Sequence, residues 1–346
     1  MPTLPSWLLH WYASSEPVAI FEGTEYHPER GVVLPSGMRT GMITGPVYRV
    51  EYSEAVPSWQ AQTPPGTWLE VWLRAEIAGC WTQWYALGEW STNAPHRHSV
   101  AGQDDVDAIV ATDTLLLRKA AQALQWRVVL HGTEQQSPSV QAVAVAVGPV
   151  IARELSRTPL TVPPVPVAEL SQMVYPNGGR VWCSPTALTM VLAYWYKQTG
   201  DPQLTRFIEQ QAVPKYVAPA VYDSVYDGTG NWAFNTAYAA TLGLEAYVVA
   251  LQSLDDLAEW LQARVPLVAS IRWQPGDLAG APLGHSDGHL VVVVGIAPNG
   301  DVIVNDPAAD PRLGTSVRRS YPRDQFWQTW QKSGRMVYLI YPRGWV

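Results

Sequence analysis

The chain has 346 residues, 47% hydrophobic and 15% charged, with 23 Lys and Arg against 30 Asp and Glu for a formal charge of −7. That length predicts two domains, and so few charges exclude a disordered tail or a charged coiled coil. The negative balance, with no basic run, also excludes a nucleic-acid partner.

The opening stretch, MPTLPSWLLHWYASSEP, has no basic segment, no sufficient apolar run and no small-x-small cleavage site, so no secretory signal is read there. The sequence as written is expected to be cytoplasmic; a precursor with an earlier start would make it secreted. The longest apolar stretches, such as Leu290 to Ile296, fall far short of the roughly 18 residues of a membrane span. Cys80 and Cys183 are the two cysteines, too few for a disulfide framework or a multi-thiolate zinc site.

From about Gly31 to Val150, short alternating segments recur between Gly, Pro and Ser: Val47–Tyr52, Trp68–Arg74, Trp81–Leu87, Thr114–Leu117, Leu124–Leu130 and Val140–Val147. Period two with turn signals predicts antiparallel strands, and their number predicts an all-β sandwich of jelly-roll type over residues 1–156. Trp59, Trp68, Trp72, Trp81, Trp84 and Trp90 fall within 32 residues of this half. They have two readings, a packed core or exposed rings that stack on a glycan or cell-wall surface. Cys80, in a strand pattern, reads as a small buried hydrophobe. His96 and His98 alternate but lack an acidic or cysteine partner nearby in sequence, so no metal is assigned to them.

Residues 157–167, RTPLTVPPVPV, read as a stiff proline-rich linker. Beyond it, over 168–346, the periodicity becomes helical at 184–196, 201–211, 231–242, 253–263 and 322–330, with apolar strands at 267–271, 290–296, 302–304 and 336–341. Helices first and strands later predict an α+β domain.

Within that domain a glycine-containing loop delivers Cys183 to the start of a helix, with Pro185 inside its first turn where a missing N–H costs nothing. The positive end of the helix and its free amides favour a thiolate there and could hold an oxyanion. Downstream, His289 opens an apolar strand, Asn299-Gly300 makes a hairpin turn, and Asp306 follows the returning strand. A modest stagger or bulge would bring His289 and Asp306 level, giving a nucleophile, a base and a residue that orients the base.

The blocks Ser171–Gly179, Trp182-Cys-Ser-Pro-Thr186, Gly228-Thr-Gly-Asn-Trp232, Gly288-His-Leu-Val-Val-Val293 and Val304-Asn-Asp-Pro307 resemble the peptidase C39-like group of papain-fold cysteine peptidases, over about residues 171–342. The resemblance implies a papain-like α+β fold with Cys183 as nucleophile, His289 as general base and acid, and Asp306 as orienting residue. Trp182, Asn231, Trp232 and Gly288, in or beside these blocks, are the candidate substrate-binding residues, and no metal or cofactor is expected. The chain order agrees with papain-like enzymes, although His289 follows Cys183 by 106 residues rather than about 130–150. The family's oxyanion glutamine is displaced: position 177 is Asn, and Gln172 lies 11 residues before the nucleophile. Gln172 is the favoured candidate, with Asn177 or backbone amides as the alternative.

The plainer reading of Asp223, Asp227 and Asn231 is a turn and a helix cap. His285 and His289 are separated by a turn, so they do not form a helical metal pair. Three functions stay open from sequence: a cysteine peptidase or amidase acting on a peptide or protein, an acyltransferase using the same thioester, and a noncatalytic binding protein on a papain-like scaffold.

Overall fold

A computed structural model describes residues 2–14, 19–153 and 160–346. It divides into two compact units that are not contiguous in sequence. One comprises Ser6–Pro149 together with Tyr222–Thr241; the other comprises Met1–Pro5, Val150–Val221 and Leu242–Val346.

The first unit is almost entirely β. Its principal strands are β1 (Tyr48–Gln62), β2 (Trp68–Ile77), β3 (Tyr85–Trp90), β4 (Thr114–His131) and β5 (Ser139–Gly148). Among the described residues, twelve strands are joined in one hydrogen-bonded sheet, where the sequence predicted the two separate sheets of a sandwich. The reason is the length of β1 and β4, each of which changes partners along its course. β4 pairs with β1 near its start and with β2 from Ala123 to His131, with register breaks between Leu116 and Ala123. Such bulges bend a strand and increase its twist, so one strand can serve two faces. The segments expected separately at 114–117 and 124–130 are therefore one strand, and polar Arg118, Lys119 and Gln122 between them mark its exposed, irregular middle.

The core of this unit is closed by a helix, Trp232–Thr241, that lies far downstream in sequence. Phe234 inserts between Trp59 and Trp90, with centroid distances of 6.3 and 5.3 Å, and all three rings are buried. The helix start is held by backbone and side chains alike. Asn231 Oδ1 accepts from the Phe234 N–H at 3.0 Å, Asn231 Nδ2 donates to Asp223 at 2.9 Å, and the Trp232 N–H donates to the buried carboxylate of Asp113. Asp223 in turn accepts from the backbone N–H of Ser99 at 3.0 Å.

The second unit carries α1 (Cys183–Thr199), α3 (Leu254–Gln262) and α4 (Arg323–Gln331), the helix Trp232–Thr241 counting as α2. Its sheet has six antiparallel strands, β6 (Leu244–Ala250), β7 (Leu267–Trp273), β8 (Ser286–Ile296), β9 (Val302–Asn305), β10 (Arg318–Tyr321) and β11 (Met336–Pro342), in the order β6-β11-β7-β8-β9-β10. Residues Ser184–Trp195 of α1 are buried all round, the mark of a central helix rather than an amphipathic surface one. Its polar atoms are matched: Trp195 Nε1 donates to the Ile340 carbonyl at 2.8 Å, Ser184 Oγ lies 2.9 Å from the Tyr338 hydroxyl, and Thr189 Oγ1 donates to the Pro185 carbonyl. The expected helix at 201–211 is a 3₁₀ turn over Pro202–Ile208 instead.

The described part of the expected linker is docked along the second unit rather than free; Arg157 to Pro159 lie outside the described residues. Val162 exchanges two hydrogen bonds with Ile296, and the Val165 N–H donates to Val294, on the stretch of β8 that runs past the start of β7. Val162, Val165 and Val167 are buried. The prolines do not prevent this because Val162 and Val165 supply the N–H groups. Gly295 permits the approach: a Cβ there would lie 2.9 Å from both Pro164 Cα and the Val162 carbonyl oxygen.

Candidate active site

The turns from Tyr175 to Trp182 fold onto themselves. Tyr175 accepts from the N–H groups of Gly178 and Gly179, and Gly178 accepts from that of Trp182 at 2.9 Å. Trp182 lies flat enough on Gly178 that a Cβ would fall 1.9 Å from its ring. The indole also packs on a small cluster of Tyr175, Val213 and Ala218. Trp182 is the residue preceding α1 and has no capping side-chain bond, so the amides of the first turn stay available. Cys183 is the first helical residue, half-buried, with Pro185 two positions on.

Its thiol lies within hydrogen-bonding reach of the His289 imidazole and of the backbone N–H groups of Ser184 and Leu290. His289 is buried on β8 opposite Ile271 of β7. Its Nε2 is 2.8 Å from Asp306 Oδ1, which leaves Nδ1 for the thiol. Asp306 sits one residue beyond β9. The hairpin pairs Val292 with Asn305 and carries a bulge between Val293 and Gly295, so the imidazole reaches along the sheet to the carboxylate. Asp306 is fully buried, yet both oxygens are matched: Oδ1 also accepts from the Ala308 N–H at 2.8 Å, and Oδ2 accepts from the Tyr321 hydroxyl. The buried ring of Trp273 stands edge-on to His289 at 5.7 Å.

These contacts fix the charge state. Burial disfavours the imidazolium, but the charge and hydrogen bond of Asp306, with Cys183 adding to them, push the His289 pKa up to about 10. Burial likewise works against the ionised thiol; the hydrogen bond and charge of His289 and the amides of Leu290 and Ser184 outweigh it and lower Cys183 below the usual thiol range. Asp306 is held below the usual carboxylate range against its own desolvation, by His289, Tyr321 and the Ala308 amide. The site therefore favours a thiolate beside an imidazolium, the nucleophilic form of a cysteine.

Gln172 is also buried. It starts a 3₁₀ turn, its N–H donates to the Pro307 carbonyl beside Asp306, and its Nε2 donates to the Gly179 carbonyl of the loop before Cys183. Among the described residues its Oε1 has no partner, an unusual cost for a buried amide. Asn177 is exposed in the preceding turns. Gly288, next to His289, is exposed with open space above its Cα. Asn231 and Trp232 belong to the other unit, where their polar groups make the helix-start contacts given above.

Tyr321 and Trp273 escaped the sequence reading. Neither lies in a chemistry-bearing motif, and only the pairing of β10 with β9 and the end of β7 bring them to Asp306 and His289. The one aromatic closing the polar run Arg318-Arg-Ser-Tyr321 was the available signal, since it is the buried residue at that strand's end. Among the described residues, no group of three or more His, Cys, Asp or Glu could hold a metal ion, and no helix is long and apolar enough to cross a membrane.

Residues 162–338 match the Peptidase C39-like family, and residues 18–148 match the Peptidase C39 N-terminal domain. Among solved structures the chain is similar to a protein described as a C39-like peptidase from Bacillus anthracis, at 17% identity over 53% of this chain and 98% of that one, with a TM-score of 0.37. It is also similar to a GH29 fucosidase of Ruminococcus gnavus, at 13% identity over 40% of this chain and 27% of that one, with a TM-score of 0.21. No curated protein matches.

Proposed function

The chain belongs to the peptidase C39-like family, and on that footing we propose that it is a cysteine peptidase or amidase of papain-like design, acting on a peptide or protein substrate through an acyl-enzyme at Cys183. The observation that carries this is the buried His289–Asp306 bond with the thiol of a helix-start cysteine in reach of the same imidazole.

The Cys183 thiolate attacks the scissile carbonyl carbon, and the electron pair moves to the carbonyl oxygen. Backbone N–H groups at the start of α1 donate to that oxyanion, and we read Gln172, anchored to Pro307 and Gly179, in the same role through the second hydrogen of its Nε2. His289 then gives its proton to the leaving amine as the C–N bond breaks, leaving a thioester. The neutral imidazole takes a proton from water, hydroxide adds to the thioester, and collapse returns Cys183 with the acid released. Asp306 keeps the proton on Nε2 of His289 throughout, so Nδ1 is the nitrogen that cycles. Trp182 and Gly288 flank the nucleophile and the base and are read as walls for the substrate backbone.

The test is the rate of Cys183 alkylation by iodoacetamide against pH, by mass spectrometry, in wild type and His289→Ala, with exposed Cys80 as internal control. Fast labelling that persists below the normal thiol range and weakens in the variant supports an activated pair. An ordinary thiol profile, equal in both proteins, removes the proposed chemistry.

A further inference from the structure

The tryptophans of the β unit do not form one uniform surface. Trp59 and Trp90 are core. Trp68 is stacked on both His96 at 3.9 Å and His131 at 4.5 Å, each 5° from parallel, and those imidazoles contact Glu89 and Glu70. That part of the face is hydrogen-bonded within itself. The neighbouring part differs. The guanidinium carbons of Arg74 and Arg127 both lie over Trp84, at 4.6 and 4.1 Å, and Arg74 also lies 4.4 Å from the ring of Trp81.

Among the described residues, neither arginine has a carboxylate within ion-pair distance. Glu76, on the same face of β2, is engaged by Arg49 at 3.7 Å instead. Two like charges share one ring, and burial, with the charge of Arg127 adding to it, lowers the affinity of Arg74 for its proton. The arrangement is nonetheless fixed from below. Buried Gln125 donates to the Gly45 carbonyl at 2.8 Å, and its Oε1 accepts from both Nε and Nη2 of Arg74 at 3.0 and 2.6 Å. Arg127 Nε donates to Thr44 Oγ1. Arg74 Nη1 and both Nη atoms of Arg127 have no hydrogen-bond partner among the described residues. A cation pair held in place by a buried amide, stacked on an indole and lacking a counter-charge among the described residues is prepared to receive an anion, because guanidinium forks match carboxylate and phosphate oxygens.

We propose that the outer face of β2 and β4 binds an oxyanion, a carboxylate or phosphate group, at Arg74 and Arg127 beside Trp84. The half-buried indoles of Trp84 and Trp81 give the carrier of that group an apolar wall. This site is independent of Cys183 and of the peptidase reading.

The full chain is titrated at low ionic strength with inorganic phosphate, glucuronate and N-acetylglucosamine, following the indole N–H signal of Trp84 by ¹⁵N-TROSY, with the signal assigned through Trp84→Phe. Millimolar saturation by an anion is expected, with no response to the neutral sugar and at least a tenfold loss of affinity in Arg127→Gln. Saturation by phosphate alone identifies a phosphate group as the ligand; saturation by glucuronate as well extends it to acidic sugars. Arg127→Lys, which keeps the charge but loses the fork, gives the same weakening if the Gln variant fails to fold. No anion-dependent shift in the millimolar range, an equal shift in the Arg127 variants, or saturation by N-acetylglucosamine that ignores Arg127 overturns the proposal.

Discussion

Tyr321→Phe removes one hydroxyl and nothing else from the surroundings of Asp306. In the wild type that hydroxyl donates to Oδ2 of a fully buried carboxylate whose other oxygen serves His289 and the Ala308 amide. A hydrogen bond to a charged group contributes about 1.5–3 kcal/mol. Its loss disfavours the ionised form, so the Asp306 pKa rises by about one to two units at about 1.4 kcal/mol per unit. Asp306 begins below the usual carboxylate range, so it stays ionised at neutral pH, and the acid limb of activity moves upward by that amount. If about 1–2 kcal/mol also reaches the transition state through a less firmly held imidazole, kcat/KM at neutral pH falls about 5- to 30-fold. The assay is kcat/KM against pH on a peptide substrate, or the iodoacetamide rate on Cys183, with a melting curve beside it. A lower melting temperature with a pH profile superimposable on wild type would refute the argument and leave Tyr321 a packing residue.

Cys183→Ala is expected to abolish hydrolysis while leaving the fold intact, as read by circular dichroism alongside turnover. His289 is pushed above its unfolded value to about 10, so its contribution to stability is complete below about pH 6.5 and fades as pH rises through 10. Asp306 has the opposite sign: its contribution is present above about pH 4 and lost as pH falls through its lowered value. The difference in urea midpoint between wild type and His289→Ala should therefore narrow at both ends of the pH range; a constant gap would count against the buried ion pair. Gly295→Ala forces a Cβ against the 162–164 backbone and should cost about 1–3 kcal/mol, as overpacking does, measured by denaturant titration. Phe234→Ala empties the space between Trp59 and Trp90 and should cost about 3–5 kcal/mol; an unchanged melting temperature would mean that α2 is not a core element.

The parts of this molecule legible in its sequence are those where chemistry and local pattern coincide. The run Trp182-Cys-Ser-Pro-Thr186 is readable because a proline tolerated only at a helix start and a cysteine beside it specify a position, not merely a composition. Asn231 as a cap for α2 was legible for the same reason. Properties that depend on long-range pairing were hidden. The merging of two expected strands into β4 rests on bulges that no alternation reports. The strand β6, buried on both faces, reads in sequence like any short apolar run. Cys80, expected inside, is exposed: it pairs with Ile77 across the two-residue turn Ala78-Gly79, both at positive φ, so the hairpin ends there and carries it out to solvent. The docking of 162–167 runs against its proline content, because composition describes the free chain and not the strand edge waiting for it.

The assignment of Tyr222–Thr241 to the β unit has a consequence for how the polypeptide can be cut. The chain changes unit between Pro5 and Ser6, between Pro149 and Val150, between Val221 and Tyr222, and between Thr241 and Leu242. A protease that nicks the chain between Pro149 and Val150 leaves α2 on the C-terminal piece, so the two pieces stay together through the packing of Phe234 against Trp59 and Trp90 within the β unit. An expressed fragment ending near residue 149 would carry the groove for α2 without α2, and its Trp59 and Trp90 would face water. Expression boundaries placed by sequence matching alone, at 18–148 and 162–338, therefore divide one folding unit, and the missing helix would have to be supplied in trans to restore it.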